Sequence, residues 1–146
     1  MIRFHLLFLL ISICLSAQNL ESYRSNFFTA VTNKSICSKM IEELKNHQSE
    51  SIYKAYLGAY ETIWANHAWN PMSKLNTFNQ GKSKIEKAVL SSPENIEIKF
   101  LRYSIQKNAP KFLNYSKDLE KDKNFILKNQ HLVKDESLKN LLKNLN

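Results

Sequence analysis

The amino-acid sequence predicts an all-α protein, and three observations support this prediction. The chain has only two glycines among its 146 residues, too few for several tight β-hairpin turns or for a glycine-rich phosphate loop. Apolar residues recur at three- and four-residue spacing, whereas no segment alternates apolar and polar residues as a half-buried strand does. A hydrophobic content of 43% is sufficient for a packed core. We therefore expect antiparallel helical hairpins or an irregular helical bundle.

Residues 1–17 have the pattern of a secretory signal peptide. Arg3 provides a basic start, residues 6–15 form an apolar run, and small residues follow. An apolar run of about ten residues is roughly half the length that a membrane-spanning helix needs, so we predict no transmembrane span after the signal is removed. We predict cleavage between Ala17 and Gln18, which places the protein in the periplasm or outside the cell.

The predicted mature part, a single all-helical domain over residues 18–146, retains one of the two cysteines. Cys14 would make the chain a lipoprotein if it were acylated, but Ile13 before it is not the small residue that such a site prefers. The lipoprotein is therefore the less favoured prediction. Cys37 has no disulfide partner within the mature chain, and we expect it to be half buried in a helix as a small apolar residue.

Three helices are expected in the amino-terminal half of this domain. Apolar spacing places the first over about residues 19–32 and the second around Met40. The third, over about residues 51–67, is apolar on two faces, which is typical of a helix that lies between neighbours. Gly58 in its interior costs about 1 kcal/mol relative to alanine, and it therefore indicates the close approach of another backbone.

Prolines mark the ends of the next helices. Pro71 ends the third helix, because the residue before a proline avoids the α region, and a fourth helix follows over about residues 72–90. Ser91 and Glu94 have capping-box spacing with a proline between them. This pattern predicts that a fifth helix begins there and extends over about residues 93–107.

Three shorter helices complete the predicted fold. A sixth follows Pro110 and contains Phe112 and Leu119. Asp122 is the predicted cap of a seventh, and the last contains the leucines that end with Leu145. The predicted domain thus has eight helices and no strand.

One part of the chain resembles a tetratricopeptide repeat. Four residues match the second helix of that repeat at its fixed spacing: Gly81, Ile85, Ala88 and Pro93. Residues 56–60, with a Leu-Gly pair between aromatic residues, resemble the first helix. The resemblance covers about residues 51–108 and implies helical-hairpin packing in a small right-handed array. The layout of a signal followed by helices also resembles small exported bacterial proteins of unassigned function.

The sequence contains no recognisable catalytic or metal-binding motif. His47, His67 and His131 lie 20 and 64 residues apart, so no two of them have the spacing of zinc ligands. Neither a Gly-x-Ser-x-Gly motif nor the carboxylates of a helical di-metal site occur. A pair of Cys37 with a histidine stays open, because such partners meet in space rather than in sequence. We predict that the protein is not an enzyme and has no catalytic residue, cofactor or metal.

The net charge of +8 raises the question of an anionic partner. Of the 21 basic residues, 18 are lysines, spread singly along the chain and often near Glu or Asp, as on a solvated surface. Arginine, whose guanidinium forms bidentate contacts with bases and phosphates, is scarce. We predict no nucleic-acid partner and only a weak attraction to anionic lipid or polysaccharide of the cell envelope.

The candidate binding site lies where polar residues interrupt the apolar faces of the third and fifth helices. If these helices pack, Glu61 and Arg102 are placed to pair across them, since a half-buried arginine needs a partner. The structural alternative is that this pair is only a salt bridge. The remaining residues of the predicted groove are Tyr56, Tyr60, Trp64, His67 and Gln106.

From these features we predict an exported, non-enzymatic helical module of the cell envelope that binds another envelope protein. The alternative prediction is a protein whose aromatic groove binds a small ligand or an anionic envelope polymer. Salt-sensitive retention on anionic lipid or glycan would favour the alternative.

Overall fold

Every regular element of the described chain is helical. The computed structural model describes residues 20–47 and 49–145. Within these ranges lie seven α-helices: α1 (residues 20–26), α2 (Lys34–Leu44), α3 (Ser51–His67), α4 (Pro71–Ser91), α5 (Ile96–Asn108), α6 (Leu119–Asn129) and α7 (Glu136–Leu142). Four 3-10 turns accompany them: Thr29–Val31, Lys111–Leu113, Gln130–Leu132 and Lys143–Leu145. The predicted all-α class is confirmed. The predicted signal peptide, its cleavage site and Cys14 lie outside the described residues.

Helices α3 and α4 form an antiparallel hairpin joined by residues 68–70. Asn70 begins α4 by accepting hydrogen bonds from the backbone N–H groups of Met72 and Ser73, at 2.8 and 3.3 Å. Pro71 fits the first helical position because that position needs no N–H donor. The hairpin therefore turns where the asparagine and proline of the sequence indicated.

Gly58 and Gly81 meet where α3 and α4 cross. A Cβ atom on Gly58 would lie 2.5 Å from the carbonyl oxygen of Gly81 and 3.0 Å from the backbone nitrogen of Ile85. A Cβ atom on Gly81 would in turn collide with the backbone of Gly58 and Thr62. The two helices are therefore packed backbone against backbone, and the close approach predicted at Gly58 is confirmed.

Helix α5 begins later than the capping-box spacing predicted. Helix α4 continues to Ser91, whose Oγ donates to a carbonyl oxygen one turn earlier, at 3.0 Å. Asn95 caps α5 instead, because its Oδ1 accepts from the N–H groups of Glu97 and Ile98, at 3.0 and 3.1 Å. Asparagine is as effective at this position as serine. The predicted start at the serine-glutamate box is wrong because Asn95, further along the chain, satisfies the free N–H groups.

The predicted sixth helix is also wrong. After Pro110 the chain forms only the 3-10 turn Lys111–Leu113, which ends at Asn114 in the left-handed region, with φ 47° and ψ 42°. Asparagine adopts this region more readily than most residues, and a residue in it cannot continue a right-handed helix. Helix α6 begins at Leu119, and Asp122, the predicted cap of a separate helix, is a buried residue in the first turn of α6.

The first helical segment is shorter than predicted. It ends after residue 26 and is followed by the 3-10 turn Thr29–Val31. Asn33 then begins α2 by accepting a hydrogen bond from the N–H group of Ile36, at 3.0 Å. The segment predicted as one helix over 19–32 therefore consists of an α-helix and a separate 3-10 turn.

The core forms around α3, which contacts α2, α4, α5 and the turn after α1. The side chains of Tyr23, Tyr56 and Tyr60 are at most 1% exposed. The ring of Phe27 packs edge-on against Tyr56 and Tyr60, with centroid distances of 6.4 and 6.1 Å, a favoured geometry for aromatic pairs. The prediction that the third helix lies between neighbours is confirmed.

A buried arginine joins α1 to the carboxy-terminal half of the chain. Nε and Nη2 of Arg24 donate to the two carboxylate oxygens of Glu97, both at 2.7 Å, and Nη1 donates to Asp135 at 2.7 Å. The hydroxyl of Tyr56 donates to Glu97 at 2.6 Å. Asp135 also caps α7 by accepting from the N–H group of Leu138, at 3.1 Å. These hydrogen bonds compensate charges that are held away from water.

The same contacts change the pKa values of two residues. Burial, together with the neighbouring carboxylate of Glu97, raises the pKa of Tyr56 well above its usual value of 10.0. Burial acts to raise the pKa of Asp135 as well, but the hydrogen bonds from Arg24 and Leu138 outweigh it and lower this pKa below its usual 3.8. Asp135 is therefore held in its ionised form by folding.

Replacement of Gly58 by alanine should destabilise the protein. In an open helix this change stabilises by about 1 kcal/mol, but here the added methyl group meets the backbone of Gly81, and overpacking of this kind costs about 1–3 kcal/mol. We expect a lower midpoint of urea unfolding. Ser83→Ala, at an exposed position of α4, is the control, and an equal or higher midpoint for Gly58→Ala would contradict the backbone contact.

Replacement of Asp135 by asparagine should change how stability depends on pH. Because the pKa of Asp135 is lowered in the folded state, its contribution is complete above the unfolded value of 3.8 and is lost as pH falls through the folded value. Asp135→Asn should be less stable than the wild type at pH 7, and the difference should shrink as pH falls below about 4. Urea unfolding between pH 7 and pH 3 measures this, with Glu136→Gln, which removes an exposed ion pair with Lys139, as control. A constant difference across that range would show that Asp135 does not gain stability from ionisation.

Candidate functional site

The salt bridge predicted between Glu61 and Arg102 is not formed. Glu61 accepts two hydrogen bonds from the Lys84 ammonium on α4, at 2.7 and 2.9 Å. Arg102 donates from Nε and Nη2 to both carboxylate oxygens of Asp122 on α6, at 2.6 and 2.8 Å, and from Nη1 to Glu86 on α4, at 2.9 Å. The prediction is wrong because Arg102 lies on the face of α5 that packs against α4 and α6.

Arg102 is the centre of a charged cluster in which Arg102, Asp122 and Lys99 are buried and Glu86 is partly exposed. The side chain of Arg102 is 6% exposed and that of Asp122 is 0% exposed. The Lys99 ammonium lies 3.5 Å from Asp122, and the hydroxyl of Tyr115 donates to Glu86 at 2.6 Å. Burial and the carboxylate of Glu86 raise the pKa of Tyr115. The arrangement joins α4, α5 and α6. Each of the three guanidinium nitrogens of Arg102 donates a hydrogen bond to a carboxylate.

The other residues of the predicted groove do not line one open surface. Tyr56 and Tyr60 are fully buried, and the hydroxyl of Tyr60 donates to the carbonyl oxygen of Tyr23 at 2.7 Å. Gln106 is 3% exposed, and within the described residues its Oε1 has no hydrogen-bond partner. These three side chains belong to the interior and contact a ligand only if the core opens.

Trp64 and His67 are the half-buried members of the predicted groove together with Glu61. Their rings lie 5.8 Å apart, and the Nε2 atom of His67 donates to the carbonyl oxygen of Ala30 at 2.9 Å. The Lys34 ammonium lies 5.3 Å from the Trp64 ring, a distance at which a cation is attracted to the ring face. His67 therefore joins α3 to the turn Thr29–Val31, and Trp64 joins α3 to the first residue of α2.

Cys37 is inside the core rather than half buried. It is 0% exposed and its thiol donates to the carbonyl oxygen of Tyr60 at 3.4 Å. Burial raises its pKa to about 12, so the reactive thiolate is scarce at neutral pH. His67 bonds to a backbone carbonyl and His47 lies beside Tyr53. In the described part of the chain Cys37 thus has no histidine partner, and no cluster of His, Cys, Asp or Glu is arranged to hold a metal ion.

A concavity of the described residues lies elsewhere, at the end of the molecule where α3 turns into α4. We call it the end cleft. It has a volume of about 970 Å³ and lies between the turn after α1, the last turns of α3 and α5, the first turns of α4 and the carboxy-terminal 3-10 turn. Its apolar lining includes Phe28, Val31, Ile63, Leu75, Phe78 and Phe112. None of the seven predicted groove residues is among its lining residues.

Several apolar side chains of the end cleft remain open to solvent. Phe112 is 80% exposed, and Phe28, Val31 and Leu75 are between 40% and 45% exposed. A folded chain rarely leaves so many large apolar residues around one concavity unless something covers them. The end cleft is therefore the candidate binding site.

Three lysines, but no acidic residue, line the end cleft. They are Lys74 on α4, Lys107 on α5 and Lys143 in the last 3-10 turn. Among the described residues none of the three forms an ion pair. Lys107 lies 5.8 Å from the ring of Tyr103, and Lys143 donates to Asn140 at 2.8 Å. The charged side chains of this site are therefore all cationic.

A sequence signal for this site exists in the distribution of acidic residues. Several stretches of the chain contain neither Asp nor Glu, and four of them are residues 22–41, 62–85, 98–117 and 137–146. Every lining residue of the end cleft falls in one of them. The groove predicted from helix faces does not include the end cleft, because the residues of the cleft come from the ends of several elements rather than from one face.

No protein-family model, curated protein or solved structure matches this chain. The resemblance to tetratricopeptide repeats accordingly stays a prediction. Among the helices of the described residues, none has both the length and the hydropathy that a bilayer span requires.

Replacement of Arg102 by methionine should strongly destabilise the fold. The change leaves Asp122 buried with only Lys99 nearby, and loss of one partner of a buried ion pair costs about 3–5 kcal/mol. Thermal and urea unfolding measure this. Lys84→Met removes the more exposed pair with Glu61 and should cost less than about 1 kcal/mol.

A second variant separates the buried charge from the loss of packing. Arg102→Met combined with Asp122→Leu and Lys99→Met removes the three buried charges together, and it should recover part of the stability lost in Arg102→Met. An unfolding midpoint of Arg102→Met equal to that of Lys84→Met would contradict a structural role for the cluster.

Proposed function

We propose that this protein is a non-enzymatic binding protein of the cell envelope that takes the apolar part of a small ligand into the end cleft. The volume of about 970 Å³ supports this proposal, because sites for small ligands have about 300–1,000 Å³ and are lined mainly by apolar groups with a few polar ones. Export through the amino-terminal signal is part of the proposal.

Binding rather than catalysis is favoured by the state of the reactive side chains. Cys37 is buried and its pKa is raised to about 12, so it is a poor nucleophile. The buried carboxylates of Glu97 and Asp122 are engaged by Arg24 and Arg102. The end cleft itself is lined by lysines, amides, hydroxyls and apolar groups, which suit recognition better than proton transfer.

The second candidate function is the binding of another envelope protein. The supporting observation is that Trp69, in the hairpin turn, and Met72, in the first turn of α4, are 95% and 64% exposed. They flank Pro71, which lines the end cleft, and so extend the apolar surface beyond it. Aromatic residues and methionine are enriched at protein interfaces.

Removal of apolar groups from the end cleft should weaken the binding of a neutral apolar dye. Leu75→Ser combined with Phe112→Ser takes two lining side chains from the cleft. Burial of such a side chain contributes about 1.5–3 kcal/mol, so we expect a loss of affinity of at least about tenfold. Fluorescence titration with Nile red, which carries no charge, measures this.

The control for that experiment is Leu90→Ser combined with Leu132→Ser. These leucines are 80% and 65% exposed and do not line the end cleft. The control should bind the dye as the wild type does. No saturable dye binding, or an equal loss in both double variants, would contradict the proposed function.

The protein-binding candidate has its own test with the same variants. Cross-linking in an envelope extract should yield a stoichiometric partner that is lost with Leu75→Ser and Phe112→Ser and kept in the control. A partner with this pattern, together with absent dye binding, would favour the second candidate.

A further inference from the structure

The charge of the end cleft specifies its ligand further, and the inference rests on the proposed function. We infer that the end cleft binds a single-chain anionic amphiphile of the fatty-acid class, with the hydrocarbon chain on the apolar lining and the carboxylate among Lys74, Lys107 and Lys143.

Among the described residues the ammonium groups of the end cleft are not paired with a carboxylate, whereas those of several other lysines are. Lys84 is paired with Glu61, Lys45 with Glu42, and Lys139 with Glu136. The ammonium groups of the end cleft have no such carboxylate. Each can therefore approach an anionic group without first breaking an ion pair.

Acidic side chains are absent from the whole lining of the end cleft. All 13 Asp and Glu residues of the chain lie outside the four stretches that contribute to the end cleft. A concave site with walls of low polarity concentrates the field of its charges. An anionic group in the cleft meets attraction from three lysines and no repulsion from a lining residue.

The size and walls of the end cleft suit a single hydrocarbon chain. The end cleft is a concavity of about 970 Å³ with aromatic and aliphatic walls, so it can surround one flexible chain. A bilayer surface would instead contact only the exposed rim, such as Phe112 and Leu75, and would not enter the concavity. A cation or a neutral chain would leave the three ammonium groups unused.

The head-group preference can be measured with three probes that share a ten-carbon chain. Decanoate, decan-1-ol and decyltrimethylammonium displace bound Nile red from the full-length protein at pH 7.5, where the carboxylate is ionised. We expect decanoate to bind about tenfold more tightly than the alcohol and the ammonium to bind weakest. The difference should decrease as salt is raised, because the lysines are exposed.

Substitution of the lysines assigns this preference to the cleft. Lys74→Gln, Lys107→Gln and Lys143→Gln in one variant should bring the affinity for decanoate down to that for the alcohol, while Nile red binding is kept. The control variant carries Lys121→Gln, Lys128→Gln and Lys134→Gln, which are exposed lysines outside the cleft and change the net charge equally. It should keep most of the preference.

The outcomes separate this inference from the proposed function. Dye binding without a preference for decanoate, or a preference that survives in the first lysine variant, overturns the inference and leaves the proposed function standing. Absence of dye binding overturns both. Sedimentation with vesicles of anionic phospholipid, or binding of an acidic peptide, without displacement of the dye by decanoate would also overturn it in favour of a membrane or protein partner.

Discussion

The backbone contact between Gly58 and Gly81 is the constraint on which the rest of the fold depends. Because neither position carries a side chain, α4 covers one side of α3 without large residues between them. The tyrosines of α3 are then available to pack with α1, and α5 completes the enclosure. The same hairpin ends at one wall of the end cleft, so the crossing of the two helices also determines the position of Ile63 relative to Leu75.

Two buried arginines complement this steric contact with directional bonds. Helix α5 supplies Glu97 to the cluster around Arg24 and supplies Arg102 to the other cluster. Buried ion pairs add little net stability, but an alternative packing that separates Arg102 from Asp122 would bury uncompensated charge. The two clusters therefore select one arrangement of α1, α4, α6 and α7 around α5.

Local patterns in the sequence predicted much of the fold and little of the site. The bounds of the third helix and the close approach at Gly58 follow from spacing and composition within a few turns. The partner of Arg102 could not be predicted from the sequence, because helix periodicity does not specify how α5 is rotated about its axis. The chain has 13 acidic residues that could pair with an arginine. The predicted sixth helix does not form because Asn114 has a left-handed backbone conformation, which the spacing of apolar residues does not indicate. The end cleft was not predicted because its residues come from the ends of several elements. The stretches without acidic residues that contribute to it are nevertheless present in the sequence.

The bond between Arg24 and Asp135 spans 111 residues of the chain, and that between Arg24 and Glu97 spans 73. Contacts at such separation close late, because a long loop must be ordered before they form. During synthesis from the amino terminus, Arg24 is without either carboxylate until most of the polypeptide has been made. Premature collapse around α1 and α3 would bury a lone guanidinium. The packing around α1 is therefore complete only when α5, which supplies Glu97, is present.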